Sequence, residues 1–430
     1  MNLPRYEKYK DSSIEWLGKI PEHWDIKKLK YVANLVNGST PSSSIPSYWD
    51  GEIVWVTPND LGKLKDKFIY NSERKITQQG LNSCGTKISP KNSIILSSRA
   101  PIGHVGITGI DSCINQGCKT VVPCHKKINA IFLYYFLIVS KKALESLGKG
   151  TTFQELSKNE LASYTIPLPE ISEQKRIAEF LDLKCGEIDE AIAKKQRLIE
   201  LLEEQKTILI NQAVTKGLNP DAPMKDSGID WLGEIPEHWE VWRSKHLFRQ
   251  SKELARSNDI QLSATQAYGV IPQEEYENRI GRKVTKVFQH LEKRRHVEIG
   301  DFVISMRSFQ GGLERAWAKG CIRSSYVVLK PSDKTDLDFF MYLFKSHSYI
   351  KALQTTANFI RDGQDLNFDN FCGVDLPLPP IEEQRTIAKL IRLSIEKSSQ
   401  AAKYIQQEIE KLTELKQILI AEAVTGKIKV

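Results

Sequence analysis

Two long stretches of the chain repeat their apolar residues on a helical period. Ile177, Ile188, Ile199 and Ile210 recur every 11 residues, and Leu181, Ile192, Leu202 and Leu209 fill the same stripe. An 11-residue repeat is about 3.67 residues per turn, close to the winding of a straight helix. Pro167 and Pro169 stop whatever precedes it, since proline lacks the amide donor and restrains its neighbour. The helix is expected from Ile171, with Ser172 as N-cap and Glu173 near the positive helix end. One glycine, Gly186, interrupts it, and Gly217 reads as its stop. A helix from Ile171 to Ala213 would be roughly 64 Å long at ~1.5 Å per residue. The second stretch runs from about Ile381 to Val424, with Ile387, Ile391, Ile409, Leu412 and Leu419 on its apolar face. A narrow stripe on so long a helix must pack on something. The economical partner is the other helix, antiparallel, as a two-helix coiled coil. The alternative is that each helix packs on its own domain.

Before each helix lies a segment of short β-rich runs. In residues 26–165 these are Glu52–Thr57, Asn92–Ser97 and Lys119–Val122, separated by Gly and Pro. In residues 240–375 they are Asp301–Ser305 and Ser325–Leu329. Tyr48, Trp49 and Trp55 lie among polar loop residues, and core packing is their expected role. Mixed α/β domains follow. The longest apolar run, Ala130–Val139, is ten residues, and a bilayer span needs roughly 20.

The chain is written twice. Lys10-Asp-Ser-Ser-Ile-Glu-Trp-Leu-Gly-Lys-Ile-Pro-Glu-His-Trp24 returns as Lys225-Asp-Ser-Gly-Ile-Asp-Trp-Leu-Gly-Glu-Ile-Pro-Glu-His-Trp239, an offset of 215. Ile166-Pro-Leu-Pro-Glu-Ile-Ser-Glu-Gln-Lys-Arg-Ile-Ala178 returns as Leu376-Pro-Leu-Pro-Pro-Ile-Glu-Glu-Gln-Arg-Thr-Ile-Ala388, an offset of 210. Ala213-Val-Thr215 returns as Ala423-Val-Thr425, and Phe132–Leu137 matches Phe339–Phe344 more weakly. What lies between these blocks barely aligns. Similar halves with unlike middles suit a pseudo-twofold arrangement that meets an extended, two-part target. The boundaries expected are a first domain at 1–165, a helix at 166–217, a second domain with its linker at 218–375 and a helix at 376–430.

A length of 430 residues allows two or three domains. Charged residues at 27% and hydrophobic residues at 40% exclude wholesale disorder. The first residues are polar and lack a signal-peptide core. Seven cysteines without a framework spacing suggest a reducing, cytoplasmic setting. The net charge of +8 is unevenly spread: residues 26–165 carry +9, residues 166–239 carry −6 and residues 240–375 carry +4. Two basic blocks around an acidic one favour a polyanion that both middles touch.

The candidate nucleic-acid contacts are polar loop residues beside the strands. In the first middle they are Ser39, Thr40, Thr57, Asn59, Lys63, Arg74, Ser98, Arg99, Asn115 and Gln116. In the second they are Arg279, Arg282, Lys283, Lys286, Arg294, Arg295, Arg307, Ser308, Gln310, Arg315 and Arg323. Arg279–Arg295 is a basic run opposed only by Glu292, a phosphate track if it lies on one surface. Arg99 and Arg307 each leave a strand into a polar loop, where an arginine either reads guanine or clamps phosphate, or braces the loop through an ion pair. Leu147-Gly-Lys-Gly-Thr-Thr152 has the wrong order for a phosphate loop. No Gly-x-Gly-x-x-Gly follows a strand. No Asn-Pro-Pro-Tyr or Asp-Pro-Pro-Tyr grips an extruded base, and no carboxylate set with a nearby Lys marks a nuclease. Cys113, Cys118, Cys124 and His125 are off the usual zinc spacing. The repeated Ile-Pro-Glu-His-Trp reads as a docking turn at each domain's base.

With these residues in hand, the whole chain resembles the specificity subunit of Type I restriction–modification systems. The resemblance rests on the repeated WLGxIPEHW, the repeated PLPxxxEQxxIA opening each long helix, the AVT endings, Ser98-Arg-Ala-Pro-Ile-Gly103 and Asn115-Gln-Gly117. The second middle departs from it, with Met306-Arg-Ser-Phe-Gln-Gly-Gly312 and no Asn-Gln-Gly. The resemblance implies two target recognition domains, each reading half of a bipartite asymmetric site in double-stranded DNA. It implies a helix pair that sets the spacer and docks two modification subunits, with two restriction subunits joining them and no membrane involved. S-adenosylmethionine, ATP and Mg would belong to those partners, with no cofactor or metal in this chain and no catalysis by it. The competing classes are a self-contained methyltransferase or nuclease, which would bind S-adenosylmethionine alone, and a DNA-binding regulator, which would need no modification partner.

Overall fold

The structure is a computed structural model, and it describes residues 3–99, 101–150, 154–284, 291–356 and 366–430. The chain forms two compact units, one of Met1–Lys195 with Gln407–Val430, the other of Gln196–Gln406.

In the first unit, five strands form a sheet: β1 (Ala33–Asn37), β2 (Phe68–Ile69), β3 (Ile94–Ser97), β4 (Val105–Thr108) and β5 (Cys118–Pro123), in the order β1-β5-β3-β4-β2. Only the β4–β2 pairing is parallel. The sheet is buried on both faces, so successive residues enter different cores. Ile94 and Leu96 join the cluster around helix α1 (Ala130–Val139), and Ile95 joins the cluster of Val54, Val56 and Cys118. Trp49 and Trp55 pack with Ile76 and Cys113 as core residues.

The second unit repeats the plan. Its strands β6 (Phe248–Ser251), β7 (Phe302–Ile304), β8 (Glu314–Arg315) and β9 (Val327–Pro331) run β6-β9-β7-β8, all antiparallel. This is the order of β1-β5-β3-β4. The residues again alternate: Phe302 and Ile304 face one core and Val303 another. Two middles that barely align in sequence therefore share one sheet topology. The unit was expected to repeat at its ends, and it repeats in its centre too.

The repetition of these blocks has a mechanical cause. In each unit the strand after the Ile-Pro-Glu-His-Trp turn pairs with the strand before a long helix: Asp25–Lys28 with Thr165–Leu168, and Glu240–Arg243 with Asp375–Leu378. The long helices follow at once, α2 (Ile171–Lys216) and, beyond α3 (Leu337–Lys345), α4 (Ile381–Val424). Each begins with a buried glutamine. Gln174 accepts from Asn129 N at 2.8 Å and donates to the carbonyls of Lys127 (3.1 Å) and Pro169 (2.8 Å). Gln384 repeats this on Asp336 N (2.7 Å), Lys334 O (3.0 Å) and Pro379 O (2.9 Å). Asn129 and Asp336 are the N-caps of α1 and α3. The preceding residue, Glu173 or Glu383, takes the histidine of the turn: His23 Nε2 lies 2.9 Å from Glu173 and His238 Nε2 2.7 Å from Glu383. Tyr6 also donates to Glu173 at 2.6 Å. Burial pushes the Glu173 carboxyl up, but the Tyr6 and His23 bonds hold it below its ordinary range. Ser172 lies inside the first turn of α2, where the carbonyl of Glu170 takes the N–H groups of Glu173 and Gln174 instead.

Each turn is also gripped by the end of the other helix. Trp24 is buried with Leu419, Ile420, Ala423 and Val424, and Trp239 with Ala213 and Val214. Gly217 stops α2 with φ +76°, a conformation that L side chains resist. In the first unit the helices run antiparallel, with Lys416 Nζ 2.6 Å from Asp189 and Lys195 Nζ 2.7 Å from Glu408. The two readings of the apolar stripe combine: Ile177 and Leu181 share one core with α1 and with the end of α4, as Ile387 and Ile391 do with α3 and the end of α2. Ile188, Ile192, Ile199, Leu202, Leu209 and Leu412 are half-buried, and Ile409 and Leu419 buried.

Candidate nucleic-acid interface

The sheet order places several loops of the first unit at one end. Residues 38–40 follow β1, residues 115–117 precede β5, and Ser98 and Arg99 follow β3. The antiparallel registers bring these ends side by side. Residues 57–59 follow the strand Trp49–Val56, whose end pairs with Ile114. Backbone bonds stitch the loops together: Ser39 N to Ile114 O at 3.1 Å, Asn115 N to Val56 O at 3.0 Å and Ser98 N to Gly117 O at 2.8 Å. The approach is so close that a Cβ on Gly38 would lie 2.0 Å from Asn115 O. Only glycine fits there.

Ser39, Thr40, Thr57, Ser98, Arg99, Asn115 and Gln116 thus form one cluster, although they span much of the domain. The Thr40 hydroxyl donates to the Gln116 side-chain carbonyl. Asn115 accepts from Gly117 N at 2.9 Å, which shapes its own loop. Thr57 closes a capping box with Asp60. Ser98 is buried and supports the loop from beneath. Beside the cluster, Glu73 takes Asn59 and Lys63, each at 2.9 Å, and Arg74 stacks on Trp49, 3.5 Å from the ring centre.

The matching end of the second unit is built from residues 252–255 after β6, residues 305–312 after β7 and residues 323–326 before β9. Arg307, Gln310 and Arg323 are exposed there. Gln266 holds the Arg307 carbonyl at 3.3 Å. Ser308 is buried and accepts from Ser305 N at 2.9 Å. Arg315 pairs with Asp338 and lies over Trp317, 4.4 Å from the ring centre. Lys345 binds the Gly311 carbonyl at 2.9 Å and the buried Glu314 carboxylate. Burial pushes that carboxyl up to about 7 against the pull of Lys345.

The basic run does not lie on one surface. Arg279 pairs with Glu275 at 2.5 Å and stacks on Tyr268. Arg282 and Lys283 are exposed, and Lys286 lies outside the described residues. Arg294 is buried beside Cys321. Arg295 braces the Lys252 carbonyl at 2.9 Å. Burial of Arg294 takes it out of a phosphate track, because the chain enters a strand at Arg295–Val297 and alternation turns residues inward.

Sequence reasoning missed Glu155. Its carboxylate lies 3.0 Å from Arg99 Nε and 3.3 Å from Lys119 Nζ. Burial would raise its pKa, but Lys119 and Arg99 hold it below the ordinary range. Nothing local links Glu155 to Arg99, 56 positions away. Gly38 was legible only as loop punctuation.

A family model described as Type I restriction modification DNA specificity domain matches residues 21–204 and again 236–411. The Type I restriction enzyme MjaIX specificity subunit of Methanocaldococcus jannaschii is 36% identical over 233 residues. That match spans 53% of this chain and 52% of the relative, about half of each. The MjaVIII specificity subunit of the same organism is 25% identical, covering 96% of this chain and 94% of its own length. A solved structure described for complex assembly and conformational transition of the type I R-M system has the same fold, with a TM-score of 0.66 at 15% identity, over 94% of this chain and 98% of that one.

Proposed function

The chain belongs to the Type I restriction modification DNA specificity family, and from that membership we propose that each of its units reads one half of a bipartite, asymmetric DNA site. One observation carries the reading: the same four-strand order occurs twice, and beyond the shared Arg99 and Arg307 the same end bears different exposed side chains, Thr40 and Gln116 in one unit, Gln310 and Arg323 in the other. A shared scaffold with unlike loops suits two different base sequences. No helix among the described residues is long and apolar enough to cross a membrane, and the proposal places the chain in the cytoplasm with the DNA.

The helix pair would set the spacer between the half-sites. Shortening α2 and α4 by about one turn each, near Ile192 and Ala402, is expected to shorten the nonspecific spacer, since a turn is ~5.4 Å and a DNA turn ~34 Å. Methylation mapping reads the spacer directly, and an unchanged length contradicts the ruler.

The chain would be noncatalytic and would dock two modification subunits that methylate adenine N6 with S-adenosylmethionine, with two restriction subunits using ATP and Mg. Exposed apolar residues support two equal seats. The first unit exposes Leu183 on α2 and Ile418 on α4; the second exposes Leu393 on α4 and Ile208 on α2. Leu183 with Leu393 and Ile208 with Ile418 are related by the same offset of 210. The repetition of this exposed pair in both units is what singles it out as a seat for a repeated partner. Leu183→Glu with Ile418→Glu is expected to leave the chain folded and to drop the complex from two modification subunits to one. Native mass measurement decides it, and two retained copies would refute this docking surface.

A further inference from the structure

Arg99 leaves β3 at the loop end with its guanidinium half exposed and its Nε committed to Glu155 at 3.0 Å. The other Glu155 oxygen takes Lys119, on β5, at 3.3 Å. Lys119 is almost fully buried, with a side-chain exposure of 7%. The backbone is tied down as well: Leu156 N donates to Ser98 O at 2.8 Å, and Arg99 and Glu155 form a β-bridge. The carboxylate is therefore fixed by the sheet, and it fixes the arginine.

A guanidinium has five N–H donors in a planar fork. With Nε engaged, the two terminal nitrogens remain, and among the described residues neither takes another partner. Guanine presents two acceptors, O6 and N7, side by side in the major groove, and this fork matches them. A lysine has three donors on one rotating ammonium and can reach the same atoms, but it lacks the fixed planar fork. Arg307, the corresponding arginine of the second unit, has no carboxylate against it among the described residues; Asp365, which stands 210 positions after Glu155, lies outside them.

We propose that Glu155 is a positioning residue that aims Arg99 end-on at a guanine in the half-site read by the first unit. The inference rests on the DNA-reading function proposed above and adds one base to it. Glu155 also cancels positive charge beside the fork.

The test uses the complete complex with its modification subunits, and duplexes carrying the mapped site with single base changes. The unaltered protein is expected to prefer guanine at one position of the first half-site by about 10- to 100-fold in Kd. Arg99→Ala should abolish that preference at that position alone, and Arg99→Lys should reduce it. Glu155→Gln should shrink it several-fold while every preference in the second half-site stays intact, which also reports that the chain is folded. A Glu155→Gln protein that keeps the guanine preference, or that binds all sequences equally more tightly, overturns the positioning role. An Arg99→Ala protein that keeps it overturns the guanine contact. No base preference in either half-site would instead sink the DNA-reading function itself.

Discussion

Exchanging residues 26–165 for the same segment of another family member is expected to replace one half of the recognised DNA motif and leave the other half unchanged. The segment starts and ends at one place, because Ile26–Lys28 at its start pairs with the strand Thr165–Leu168, whose first residue is the segment's last and whose remainder stays with the helix. Its apolar contact with Ile177 and Leu181 of α2 needs only an apolar face on α1, and its polar anchor ignores its side chains. Gln174 holds the Lys127 carbonyl and the Asn129 amide, both backbone atoms that any sequence supplies. Side-chain links from Lys67 and Tyr135 to Asp182 would be lost in many exchanges. The first is a part-exposed ion pair, and such pairs contribute only about 0–1 kcal/mol. A wrong base pair in a specific site costs about 1–3 kcal/mol, roughly additively. A half-site change therefore moves affinity by orders of magnitude. Methylation mapping of the chimaera reads it, and a change in both halves contradicts the modular account.

Gln174→Leu is expected to destabilise the first unit by about 2–4 kcal/mol, and Gln384→Leu the second by a similar amount. The leucine fills similar space but leaves one amide and two carbonyls without their partner, the Pro169 carbonyl in a fully buried bond and the other two part-buried. Each buried polar group left unpaired costs about 1–3 kcal/mol. Denaturant unfolding followed in each variant measures it. A loss below about 1 kcal/mol would mean that water or a neighbour replaces the amide, and the glutamine would not be the anchor that the repeated Glu-Gln pair marks.

The sequence carried the architecture further than it carried the site. Helix periodicity needs only local information, so α2 and α4 begin within a residue of the expectation and end at Gly217 and near Gly426. The repeated blocks were visible because both copies keep the same contacts: His23 with Glu173 and His238 with Glu383 require the same residues twice. The sheet order was hidden, since β1 and β5 meet across about 80 positions and their partners are chosen by packing. The loop cluster inherits that difficulty. Thr40 and Gln116 touch only because β1 and β5 do. Polar type alone could not separate Arg99, exposed and aimed, from Arg294, buried, or Ser98, which supports its loop from below. Such distinctions depend on strand alternation and on partners such as Glu155, which leave no local pattern.

The most direct test is a genome-wide map of adenine methylation in cells that contain the chain with its modification subunit, against cells that lack only the chain. The account predicts a bipartite, asymmetric motif, with two specific halves around a fixed nonspecific spacer, that disappears without the chain. A single undivided motif, or methylation unchanged by removing the chain, would contradict it.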